Sequence, residues 1–331
     1  MFRKSVFYGP IVYILTLNLV KSEDSALKIL GVLITGCCIF SAFIFYKFFF
    51  GANLVGADSG ERLGGYFMLY GNSTLSVTCM AIAGQVTLVS PLAVSFSFLS
   101  NRKSYRLLGF LSFFILLSVL LATLTRSGWV AILVGITVLV FLSAKFSDRF
   151  LNARTMALIL ILTVVVVATV SYTLRLNDYL FYRFQSLKYI LGDTSLLDRI
   201  DIWRRSLGAF FSQPLGMGFR ALYNLGGISA YPHSIYLGSL LTCGFLGALG
   251  FFGFIFAWAK NVFACLRHET SSQMKMVFIG SLGALAALLF YGVFEDTMFM
   301  PDIVMVPAWV IFGVSAAFFG RKAGNETQHG T

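Results

Sequence analysis

Acidic residues are scarce in this chain of 331: 14 Asp and Glu stand against 25 Lys and Arg, and charged residues of both signs reach only 12%. Soluble proteins carry about 25% charged and roughly 45–50% apolar residues. A content of 58% hydrophobic therefore excludes a chain solvated by water over its whole surface. Cysteine is sparse as well. The five, Cys37, Cys38, Cys79, Cys243 and Cys265, lie in or beside apolar stretches, show no CxxC spacing and leave the most polar loop without any. That excludes a disulfide framework or a zinc site. No long polar tract is present, and 16% of residues are aromatic, which excludes disorder. What remains abundant is Phe, with 35 residues, and Gly, with 31, set in continuous apolar runs. A porin-type barrel would alternate instead of running apolar, and a spanning chain must satisfy its own backbone hydrogen bonds, so helices are left. The expected fold is an all-α integral membrane protein, a polytopic helical bundle.

Apolar runs of about 20 residues mark spans. They fall at 6–20, 27–50, 74–99, 106–124, 129–145, 154–174, 234–257, 276–294 and 302–319, about nine transmembrane helices. The first carries Pro10 and is followed by Lys21 instead of a small-residue cleavage site, so it reads as a span and not as a signal peptide. Gly64, Gly65, Gly71 and Asn72 would permit a re-entrant turn ahead of the third run. The chain divides into helices at 1–174, a long loop at 175–233, and helices with a tail at 234–331, within a single membrane domain.

Lys and Arg in short loops favour the cytoplasm. Lys21 with Lys28, Arg102 with Lys103 and Arg106, Lys145 with Arg149 and Arg154, Lys260 with Arg267 and Lys275, and Arg321 with Lys322 occupy alternate loops, which makes that face cytoplasmic. The 51–73 loop, the turn Thr125 to Gly128, the acidic turn Glu295 to Asp302 and the segment 175–233 then share the other face. Arg3 and Lys4 fall on this second face, against the rule.

The long segment breaks the pattern, since Arg175, Arg183, Arg199, Arg204, Arg205 and Arg220 with Lys188 outnumber Asp178, Asp193, Asp198 and Asp201 on the exported side. A solvated loop is one reading. An anion site is the other, because guanidinium groups match phosphate oxygens in pairs and stay charged. Leu196, Ile200, Trp203, Leu207 and Phe210 recur at helical spacing, with Ser195 and Asp198 spaced as in a capping box, so an amphipathic helix is expected here. Asp201 and Arg205 form an i,i+4 pair on its far side. The helix lies at the lipid interface or caps the bundle; the pattern suits both. Pro214, Gly216 and Gly218 end it.

Two further residues complete a constellation. His233, one of three histidines, stands in Tyr231-Pro232-His233-Ser234 directly before the seventh run. It reads as a helix-end residue or, near neutral pH, as a base for a hydroxyl. Arg126 lies between two apolar helices, where it either snorkels or joins Arg199 and His233 in gripping an anion.

On these residues the chain resembles the O-antigen ligase family of bacterial envelope glycosyltransferases, which includes repeat-unit polymerases. Thr125-Arg126-Ser127-Gly128-Trp129 is similar to the family's Ser-Arg-Gly-aromatic motif. Asp198-Arg199 through Trp203 to Pro214-Leu215-Gly216-Met217-Gly218 is similar to its Arg…Trp…Pro-x-Gly-x-Gly loop. Pro232-His233-Ser234-Ile235-Tyr236-Leu237 with Gly244-Phe245-Leu246-Gly247 resembles its His-Asn-x-x-Leu…Gly-x-x-Gly signature, and Gly64-Gly65-Tyr66-Phe67 with Gly71-Asn72 resembles its Gly-x-Phe…Asn segment. Ser127 replaces the usual glycine and Ser234 the usual asparagine, and the span count is lower by about two or three, as a start shortened near Met1 would give.

The resemblance implies a GT-C-like bundle in the bacterial inner membrane with its active site facing the periplasm. It implies a glycan donor on undecaprenyl diphosphate and a lipid or glycan acceptor, with membrane lipids around it and no nucleic acid. His233 would activate the acceptor hydroxyl; Arg126 and Arg199 would stabilise the departing diphosphate; Arg204, Arg205, Arg220 and Arg183 would bind substrate. No metal or other cofactor is implied, and no Asp-x-Asp pair for a nucleotide-sugar donor occurs. The acceptor is lipid A core in a ligase and another lipid-linked repeat unit in a polymerase, and the motifs fit both. A transporter would carry carboxylates within its spans or an internal repeat, neither of which is found. A scaffold of a polysaccharide complex would keep the fold without needing His233.

Overall fold

The computed structural model describes residues 2–50, 65–69, 73–147, 194–218, 232–295 and 302–319. These form α1 (Phe2–Leu19), α2 (Glu23–Phe50), β1 (Gly65–Leu69), β2 (Ser73–Val77), α3 (Cys79–Leu99), α4 (Lys103–Ala122), α5 (Arg126–Phe146), α6 (Thr194–Ser212), α7 (Ile235–His268), α8 (Ser272–Phe294) and α9 (Asp302–Ala316). The protein is a polytopic helical membrane protein. By length and apolarity, six described helices can cross a bilayer: α2 to α5, α7 and α8. The span expected at 154–174 lies outside the described residues.

Two expectations change. The residues before α3 include two antiparallel strands, Gly65 opposite Val77 and Leu69 opposite Ser73, so α3 starts at Cys79 and not at 74, while Gly64, Gly71 and Asn72 of the expected re-entrant turn lie outside the described residues. The seventh run continues to His268 and is broken at Gly244 (φ 68, ψ −175). The first run is a packed helix, as expected for a span: Tyr13 meets Phe254 and Trp309 edge-on at 5.7 and 6.1 Å.

The core is α3, buried along nearly its whole length against α4, α5 and α8. Lipid tails are as apolar as Leu, so contact between spans depends on close packing of small residues. A Cβ on Gly135 of α5 would sit 2.8 Å from the Gly283 carbonyl of α8, and one on Gly280 would sit 2.3 Å from Ser95 Oγ of α3. Gly109 of α4 lies against backbone, with Ala93 O and Ser97 N of α3 at 2.4 and 2.6 Å from that position. Gly109→Ala is therefore expected to push α4 off α3 at a cost of about 1–3 kcal/mol, read as an earlier thermal transition in detergent. A transition unchanged from wild type would refute the close-packing account.

The helices define two ends. At one, Arg102 Nη1 meets Asp24 Oδ1 at 2.7 Å and Ser271 Oγ donates to Glu23 at 2.7 Å, so three of the basic loops assigned to one face, those near Lys28, Arg102 and Lys275, gather together. At the other, Tyr291 Oη donates to Met80 O at 2.7 Å and Tyr236 Oη to Leu289 O at 3.1 Å. This second end holds the starts of α3, α5, α7 and α9 and the end of α8. Gly9 packs on Trp309 and Gly313 on Thr16, so α1 runs parallel to α9 and its first turn, with Arg3 and Lys4, also lies at this end.

Candidate functional site

An α-helix leaves its last carbonyls unbonded and its C-terminus partly negative. The end of α8 is such a terminus, and it carries in addition Glu295, only 1% exposed. A carboxylate there requires a cation. Arg199 of α6 supplies it: Nη1 donates to the Phe294 carbonyl at 2.6 Å and Nη2 to Glu295 Oε1 at 2.8 Å. One guanidinium thus answers both the helix end and the buried acid.

The other oxygen, Glu295 Oε2, faces His233 Nδ1 at 3.4 Å, just beyond hydrogen-bond distance, and has no hydrogen-bond partner among the described residues. His233 is 38% exposed, so its ring reaches from the buried acid to the surface. Its backbone lies at φ 44, left-handed. Non-glycine residues rarely hold that conformation, and where they do the strain of about 1–3 kcal/mol tends to mark functional positions. The loop is held from α6, since Trp203 Nε1 donates to Pro232 O at 2.9 Å. Ser234, where the family has asparagine, is buried and its side chain makes no cap bond.

A second tie joins α6 to α7. The break at Gly244 frees the carbonyls that Phe245 and Leu246 would occupy in an unbroken helix, and buried backbone groups must be paired. Met217 N takes Leu241 O at 2.7 Å, Gly218 N takes Thr242 O at 3.2 Å, and Phe245 N turns to Pro214 O at 2.8 Å. The Pro-x-Gly-x-Gly stretch is thus a plug in the kink of α7. Gly216 (φ 93) and Gly244 are in backbone contact, which leaves no room for a side chain on either.

The expected constellation is met in part. Arg199 and His233 converge on one carboxylate. Arg126 opens α5 at the same end of the bundle, next to Gly128, which packs on Leu120 and Ala83. Arg204 and Arg205 are exposed on α6, and Arg205 Nη2 is held by Asp201 Oδ2 at 2.5 Å, the i,i+4 pair expected, on the side away from Glu295. Arg183 and Arg220 lie outside the described residues. The apolar stripe of α6 needs correction. Arg199, Trp203 and Ser206 face the bundle, while Ile200 and Leu207 are exposed, together with Leu197 and Phe211. The inner face caps the bundle and an adjoining apolar arc is left open, because the apolar residues cover more of the helix than a single stripe.

Glu295 was not among the expected site residues. It was seen only as part of an acidic turn; an acid at the unfavourable end of a helix was the signal. Among the described residues no group of three or more His, Cys, Asp or Glu could hold a metal ion.

These features define a multi-pass membrane protein with a buried ionic cluster at one end of its bundle. Residues 111–252, from α4 into α7, match the model of the O-antigen ligase family. The match supports a membrane enzyme of O-antigen ligase or polymerase type, acting on glycan or lipid-linked substrates. No curated protein matches.

Proposed function

We propose that the chain is a glycosyltransferase of the bacterial inner membrane that moves a glycan from undecaprenyl diphosphate to an acceptor hydroxyl, lipid A core, at the periplasmic face. The observation that carries this reading is the meeting of Arg199 and His233, from two separate family motifs, on Glu295. A repeat-unit polymerase would use the same groups with a different acceptor.

The acceptor oxygen attacks the anomeric carbon with inversion. Its proton passes to His233 Nε2, and the bond from the sugar to the diphosphate breaks with the electron pair leaving on the phosphate oxygen. Glu295 faces Nδ1 and steadies the imidazolium as it forms, the role a carboxylate plays behind a catalytic histidine. Arg126 and Arg199 offer charge to the departing diphosphate, a contribution of about 3 kcal/mol for a well-aimed donor. Two of the five N–H groups of Arg199 are engaged by α8 and Glu295, and the rest have no partner among the described residues, on a guanidinium already fixed in direction. Nothing in this scheme needs a metal.

The test is transfer by purified protein from lipid-diphosphate glycan to each acceptor class. His233→Ala and Arg199→Ala should each lose transfer by at least about 10²-fold, at normal membrane levels, and EDTA should leave the wild type unchanged. Full transfer by either variant would overturn the reading. Strict metal dependence would overturn the arginine scheme.

A further inference from the structure

At the end of the bundle opposite the ionic cluster, a groove of about 470 Å³ runs along the outside of α2 and α4. Its floor lacks side chains at Gly31 and Gly36, and a Cβ placed on Gly36 would meet nothing within 4 Å. Val32 and Ile39 form one wall, 73% and 65% exposed, and Leu108 of α4 the other. The groove extends along α2 from Lys28 to Ile39, a rise of about 16 Å at 1.5 Å per residue. Half of a bilayer's hydrocarbon core is roughly 15 Å deep. The groove therefore runs the depth of one leaflet, with its charged mouth at the membrane surface.

That mouth is cationic. Asp24 serves two cations at once, with Lys28 Nζ and Arg102 Nη1 each 2.7 Å from one of its oxygens. Lys103 and Arg106 follow in the exposed first turns of α4, and Lys21 lies nearby in sequence. The other acid of this stretch, Glu23, accepts from Ser271 Oγ. Five cations of these stretches thus stand against three carboxylates at this end, Asp24, Glu23 and Glu269, each of which already has a partner. Lys28, paired with Asp24 yet 69% exposed on its side chain, lines the groove at its mouth.

We propose that this groove seats an acyl chain of an anionic phospholipid, with the lipid phosphate held by Lys28, Arg102 and Lys103. The depth of the groove matches a lipid tail, and the surplus of positive charge selects an acidic headgroup over a zwitterionic one. The proposal is independent of the glycan-transfer reading, since it concerns the other end of the bundle and needs no activity to test.

The experiment is native mass spectrometry of the full chain in mild detergent, titrated with phosphatidylglycerol or with phosphatidylcholine of the same acyl chains. Wild type should retain the anionic lipid in preference. Lys28→Gln with Lys103→Gln, both at exposed positions, should cut that preference by about tenfold, and Gly36→Leu, which fills the floor, should reduce retention of both lipids. Equal retention of the two lipids by wild type would overturn the proposal, as would anionic preference unchanged in the lysine variant. A Gly36→Leu protein that keeps its lipid but changes from dimer to monomer would show a second copy in the groove instead, and would overturn it as well. Should Gly36→Leu fail to fold, the lysine variant decides the question alone.

Discussion

Glu295→Gln is expected to lower glycan transfer by about 10²–10³-fold while leaving the protein folded. Glutamine keeps the shape of the side chain and its acceptor for Arg199 Nη2, but removes the negative charge facing His233 Nδ1 at 3.4 Å. The imidazolium formed when the acceptor hydroxyl loses its proton then has no counter-charge. Glu295→Ala goes further. It strands the Arg199 guanidinium, only 19% exposed, at the end of α8, and breaking a pair this buried costs about 3 kcal/mol. The two variants should therefore part company: both inactive, only the alanine form markedly less stable. The decisive measurement pairs an in-vitro transfer assay with thermal unfolding in detergent. Unimpaired transfer by Glu295→Gln would show that His233 works without the acid, and the proposed proton route would fall.

The second large effect is structural. Gly244→Ala should cost at least about 3 kcal/mol, enough to reduce yield of folded protein sharply. Its conformation, φ 68 and ψ −175, belongs to a region essentially reserved for glycine. The added methyl would also stand 2.3 Å from the carbonyl carbon of Leu215 and 2.7 Å from Gly216 N. These are backbone atoms of the plug and cannot rotate aside. Gly250→Ala, on the same helix with nothing within 4 Å of the new methyl, is the control. It should be neutral or slightly stabilising, by about 0.5–1 kcal/mol, because alanine favours helix over glycine. Equal melting of the two variants would mean that the kink tolerates a side chain and that the plug is not clamped.

Much of this architecture is legible from residue order, and the failures have identifiable causes. Apolar runs report burial in lipid directly, so α4, α5, α8 and α9 begin and end within a few residues of their expected bounds, and three of the basic loops meet on one face. Arg199 is legible because it flanks the apolar stripe of its helix and falls in the stretch that resembles the family's Arg…Trp…Pro-x-Gly-x-Gly loop. Glu295 was missed because its partners lie far along the chain, Arg199 being 96 residues away, and no local periodicity connects them. The kink at Gly244 escaped for a related reason. A glycine inside an apolar run is ordinary in a membrane helix, and only the arrival of residues 214–218 from another segment makes this one necessary. The strands at 65–69 and 73–77 are not legible in advance, because the glycines around them signal only that the chain can turn.

The acid that unites the cluster comes from the end of α8, beyond residue 252, where the family match stops. A chimera that transplanted only the matched portion would inherit the arginine and the histidine, yet join them to whatever the host supplies at that helix end. Exchange between related enzymes should succeed only when the graft brings its own carboxylate or lands on a host that already has one there.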